Sequence, residues 1–111
     1  MANAIANHKR GDTWKGMIMT CRDNNLLPVN LTGYTVISSF KDGPSGSLMF
    51  EFKTSNNTIL IPVGTDGKIH FIKRKMDVPA GRYVFDVELT SPTGDVETIV
   101  ESYWEITQDI S

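Results

Sequence analysis

Cysteine is almost missing from this 111-residue chain, with Cys21 standing alone. One thiol cannot close an intramolecular disulfide and supplies too few ligands for a cysteine-built zinc site. Cys21 is therefore expected to be a small, half-buried hydrophobe in a strand. Histidine is nearly as scarce: His8 and His70 are the two imidazoles, and they form no i, i+2 or i, i+4 pair of the kind that holds a metal. Long apolar runs are missing too, which removes any bilayer-spanning helix from the sequence reading. At the N-terminus the basic residues follow a short, weakly apolar stretch, the reverse of a secretory leader. The chain is thus expected to be made in a cytoplasm, with no membrane partner. No glycine-rich phosphate loop opens a helix, and neither an HExxH pattern nor a nucleophile elbow is present. These gaps argue against an enzyme and predict no cofactor and no metal.

Basic residues vanish towards the end. Residues 1–75 carry ten Lys and Arg against five Asp and Glu; residues 76–111 carry Arg82 alone against eight acids. The net charge of −2 hides this segregation and argues against a nucleic-acid partner, which would need a net basic footprint. Segregated charge suits contact between copies, or between a copy and a neighbour, basic side to acidic side.

What is present is strand grammar. Pro79-Ala80-Gly81 makes a turn, and Arg82 to Thr90 then alternates with period two, putting Tyr83, Phe85, Val87 and Leu89 on one face and Arg82, Val84, Asp86, Glu88 and Thr90 on the other. Seven further strands are predicted: Thr13–Arg22, Leu27–Asn30, Tyr34–Lys41, Leu48–Thr54, Thr58–Pro62, Lys68–Lys73 and Val96–Thr107. In Tyr34–Lys41, Val36, Ser38 and Phe40 share a face; in Leu48–Thr54, Leu48, Phe50 and Phe52 do. Asp23-Asn24-Asn25, Asp42 to Gly46, Ser55-Asn56-Asn57, Gly64 to Gly67 and Ser91 to Asp95 read as turns. Lys75 to Gly81 reads as a crossover with one helical turn. Short strands at roughly ten-residue spacing predict an all-β fold, a sandwich of about seven to eight antiparallel strands. A single domain over 12–111 follows an N-terminal arm, residues 1–11, that lacks strand grammar.

Two places are candidates for partner contact. In the arm these are Ile5, His8 and Arg10. In the last strand, Glu97, Ile99, Glu101, Tyr103 and Glu105 are expected on one face, with Ile99 and Tyr103 as apolar anchors and Glu101 and Glu105 in a polar rim. A basic partner, such as Lys73-Arg74-Lys75 of another copy, would complete it. Arg10-Gly11-Asp12 and the two glycosylation-like triplets, Asn30-Leu31-Thr32 and Asn56-Asn57-Thr58, read as turns.

The order of these pieces resembles a family of small tailed-bacteriophage virion proteins, related to the N-terminal immunoglobulin-like domain of the phage baseplate upper protein. Arg10 to Trp14, Asp23 through Thr35, Pro79 to Leu89 and the closing hairpin carry the resemblance, which spans nearly the whole chain from about Lys9. It implies an immunoglobulin-like β-sandwich that serves as a non-enzymatic building block of the tail or baseplate. Such a block assembles in rings or trimers with other virion proteins and connects receptor-binding parts to the tail. Longer relatives continue into a linker and a fibre or receptor-binding module, whereas this chain stops at Ser111, which points to an adaptor or decoration subunit. The alternatives are a capsid decoration or head-fibre base protein, and a carbohydrate-binding module built on Tyr103, Tyr34 or Trp14.

Overall fold

A computed structural model describes residues 8–43 and 46–107. The ten strands are β1 (His8–Lys9), β2 (Thr13–Trp14), β3 (Met17–Thr20), β4 (Thr35–Lys41), β5 (Leu48–Lys53), β6 (Ile59–Leu60), β7 (Lys68–Phe71), β8 (Arg74–Lys75), β9 (Gly81–Thr90) and β10 (Val96–Thr107). They form a five-stranded sheet in the order β1-β10-β9-β4-β5, a three-stranded sheet in the order β3-β7-β6, and the pair β2-β8. The fold is all-β, as the sequence predicts.

The inner faces of the sheets share one core. Phe40 of β4 stacks on Phe50 at 4.6 Å and on Phe85 at 4.9 Å, while Phe52 meets Phe71 of the three-stranded sheet edge-on at 5.5 Å. Trp14 lies 4.9 Å from Trp104 and so ties β2 to the long β10. Offset and edge-on ring pairs of this kind add about 0.5–1.5 kcal/mol each beyond the apolar area they bury. Tyr83, Phe85, Val87 and Leu89 are all buried, so the period-two reading of β9 holds along its length. Val36, Ser38 and Phe40 are buried together in β4, and the buried Ser38 hydroxyl donates to the Asp86 carbonyl at 2.7 Å.

Four expectations need correction. Thr13–Arg22 is not one strand: Gly16 sits at φ +87°, and a Cβ there would collide with the Phe71 carbonyl oxygen, so the chain breaks between β2 and β3. Leu48 is 52% exposed, away from Phe50 and Phe52, because the β4–β5 register shifts between Phe40 and Lys41. Lys75 to Gly81 holds no helical turn; Arg74–Lys75 pairs with β2 as β8, and Met76 and Val78 are buried beyond it. Leu27–Asn30 is not a full strand, since its ladder contact is a single bridge from Pro28 to Arg22.

Candidate functional site

The outer face of the five-stranded sheet collects the chemistry that the sequence placed on β9 and β10. Antiparallel pairing sets Asp86 opposite Glu101, Val84 opposite Tyr103 and Arg82 opposite Glu105. On the other side of β9, Ile37 pairs with Glu88 and Lys41 with Val84. The Arg82 guanidinium lies over the Tyr103 ring, 4.0 Å from its centroid, and holds an exposed aromatic in place by cation–π attraction. Tyr103 is 54% exposed and faces the half-buried Val84 across the strands, with the exposed Lys41 one strand further on, while the 40% exposed Ile37 stands two outward rows away beside Glu88. The Asp86 carboxylate also accepts the Ser39 N–H at 3.4 Å. Among the described residues, Asp86, Glu88, Glu101 and Glu105 make no ion pair, while Lys53 pairs with Glu51 at 2.8 Å on the far edge. Like charges facing each other across strands, as Asp86 and Glu101 do, cost stability in the isolated domain and are relieved by a basic neighbour.

Glu101, Tyr103 and Glu105 therefore share the expected face, but Ile99 does not. The β9–β10 register shifts between Thr98 and Val100, and this bulge breaks the alternation. Ile99 packs against the core instead of standing beside Tyr103. Glu97, opposite the inward Leu89, moves to the core side of the sheet as well. There Glu97 and Ile99 help to line a cleft of about 600 Å³ with Cys21, Tyr34, Val29 and Leu26. Burial first, and the nearby Glu97 charge second, push the Cys21 thiol above its ordinary pKa of 9.0, so it stays a neutral thiol at neutral pH. Cys21 is buried, and its backbone joins two loops: its N–H donates to the Gly67 carbonyl at 2.8 Å, and its carbonyl accepts from Val29 at 3.0 Å.

The arm candidates separate. Ile5 lies outside the described residues. His8 and Lys9 form β1, which runs parallel to β10 opposite Ile106 and Thr107. The half-buried His8 ring sits 6.0 Å from Trp104, and its Nε2–H donates to the Asp12 carbonyl at 2.9 Å. The exposed Arg10 is anchored by its N–H to the Thr107 carbonyl at 2.9 Å. Residues His8 to Gly11 are thus bonded into the sheet edge. They are not on the Tyr103 patch as a single constellation, because His8 shares the inward side of Ile106.

The second outward face was not singled out in the sequence. On the three-stranded sheet, Ile18 pairs with His70, and His70 pairs with Leu60. Ile18 is 61% exposed and Leu60 39%, and the exposed Lys15, Lys68 and Lys73 surround them. The signal lay in the alternation of Lys68 to Phe71: with Ile69 and Phe71 buried, Lys68 and His70 fall on the outer surface with their cross-strand partners. Arg74 does not join this face. Its guanidinium covers the buried Phe50 ring at 4.5 Å and donates to the Lys75 carbonyl at 3.3 Å. Of the aromatics considered for a sugar platform, Trp14 is buried and Tyr34 half-buried, which leaves Tyr103 alone on an exposed face.

No family model matches the chain, and no curated protein sequence does.

Proposed function

We propose that this chain is an immunoglobulin-like β-sandwich subunit of a tailed-bacteriophage virion, a non-enzymatic adaptor of the tail, baseplate or tail-fibre attachment. It works by protein–protein contact with other virion proteins and with copies of itself. The observation that carries the contact role is Tyr103, held exposed by Arg82 beside Val84 and rimmed by Asp86, Glu101 and Glu105. A fixed aromatic with an apolar neighbour and a charged rim is the composition of an interface centre. The placement in a phage particle rests on the sequence resemblance. The single core shared by the sheets and the long β9–β10 hairpin accord with it.

Mass spectrometry of purified particles from the phage that encodes the chain tests this reading. The chain is expected at a fixed copy number relative to the major capsid protein, and electron microscopy should place it on the tail. A Tyr103→Glu chain that folds normally is expected to be lost from particles. Particles without the wild-type chain would overturn the virion assignment, and a Tyr103→Glu chain incorporated at the wild-type level would overturn the role of this face.

A further inference from the structure

The outward faces of the two larger sheets differ in charge. On the five-stranded sheet the acids gather on β9 and β10, where Asp86, Glu88, Glu101 and Glu105 stand against Arg82, while Lys41 opposite Val84 and Lys53 opposite Ile37 lie on the neighbouring strands; β3, β6 and β7 contain no acid at all. The second face carries Lys15, Lys68 and Lys73, all exposed, and among the described residues none of the three makes an ion pair. Each face also has an apolar centre: Tyr103 with Val84 on the acidic side, Ile18 with Leu60 on the basic side. A groove of about 510 Å³, lined by Lys15, Ile18, His70 and Lys73, runs beside the exposed Ile18. Gly16 at its floor admits no side chain without striking the Phe71 carbonyl.

We infer that the two faces bind each other between copies of this chain, Tyr103 of one copy entering the Ile18–His70 groove of the next. This deepens the proposed contact role and rests on it, naming the partner of the Tyr103 face as a second copy. Self-pairing of the acidic face would set Glu101 and Glu105 against carboxylates of their own kind, which like-charge repulsion opposes. Pairing with the basic face instead supplies the cations that Asp86, Glu101 and Glu105 lack. Arg82 already covers one side of the Tyr103 ring, so the ring's other side and edge are what the groove receives. Because the two faces differ, the contact is heterologous. Each copy keeps one face free for the next, and the arrangement propagates into a ring or a stack.

Charge reversal on one face at a time tests this directly. The wild-type chain is expected to self-associate in sedimentation velocity at low ionic strength and to dissociate in high salt, since exposed charges are screened. E101K/E105K should be monomeric alone, and K68E/K73E should be monomeric alone. A mixture of the two should associate again, because each basic face of one variant then meets an acidic face of the other. The chain carrying all four changes should associate again. Circular dichroism and thermal melting check that each variant is folded. Tyr103→Ala should weaken the wild-type association by about tenfold or more, as loss of a central aromatic anchor does. A monomeric wild-type chain at low salt, or a mixture that stays monomeric while the separate variants are folded, would overturn the interface. If particles contain the chain while the purified protein stays monomeric, this interface fails and the virion reading stands. The opposite pair of results would sink the virion reading and leave the interface.

Discussion

β9 and β10 lie side by side with the same period-two composition, yet only one of them keeps its alternation. β9 buries Tyr83, Phe85, Val87 and Leu89 without interruption, whereas β10 loses step at the bulge between Thr98 and Val100. Below the bulge, Trp104 and Ile106 face the core and Glu101, Tyr103 and Glu105 face out. Above it, the inward side is taken by Ile99 and Glu97, which open onto the Cys21 cleft. One extra residue thus divides a strand between two surfaces. A face read from composition alone therefore mixes residues that never meet.

The largest effect should come from the inner side of the regular strand. Phe40 stacks on both Phe50 and Phe85, so Phe40→Ala should remove about 3–5 kcal/mol of stability, measured by urea denaturation with an unchanged m-value. A loss below about 1 kcal/mol would mean the core does not pack around Phe40 as described. The comparison itself is sharpened by a matched pair across the bulge. Ile99→Lys should cost about 2 kcal/mol, because it places a charge where an aliphatic side chain meets the core. Glu101→Lys, two residues on, should cost no stability and should add up to about 1 kcal/mol, since it turns the like-charge pair with Asp86 into an opposite-charge one. Equal effects at the two positions would abolish the bulge as the divider. Arg82→Ala should cost about 0.5–1 kcal/mol, less than Ile99→Lys, through loss of its contact with the Tyr103 ring.

How much of this was legible in the residues follows from where alternation is local. The β9 face, the Val36-Ser38-Phe40 face and the Ile69–Phe71 pair could be read from spacing because each strand obeys its period without help from a neighbour. The bulge at Ile99 and the register shift beside Lys41 could not, because they arise from pairing two strands of unequal local length. Leu48 and Ile99 were misplaced for that one reason. β1 escaped the reading because two residues carry no period, and its partner, Ile106–Thr107, lies nearly a hundred positions away. The Tyr103 patch was half legible: its β10 residues stood in one alternating row, while Arg82, Val84 and Lys41 joined it only through the register of β9 with β10 and β4. The Lys-rimmed Ile18 face was hidden by the same dependence on pairing.

The smallest effect contrasts the two ends of the core through their buried acids. Cys21 lies near the Glu97 end and Tyr83 at the other, and burial is the leading cause that raises both pKa values. For Tyr83 the Asp42 charge adds to the rise and Arg10 opposes it. In each case the folded protein holds its proton more tightly than the unfolded chain does. Stability is therefore fully present below the unfolded pKa and falls as pH rises from that value towards the folded one. The decline should open near pH 9.0 for Cys21 and near 10.0 for Tyr83. Thermal melting between pH 7 and 11 should show the melting temperature falling across this range. Cys21→Ala should remove the earlier part of the fall and Tyr83→Phe the later part. Tyr83→Phe should also cost about 1 kcal/mol at neutral pH, through loss of the phenol's hydrogen bond to the Pro79 carbonyl. A pH profile unaltered in both variants would show that neither group is desolvated by the fold, and that the two ends of the core are equally open to water.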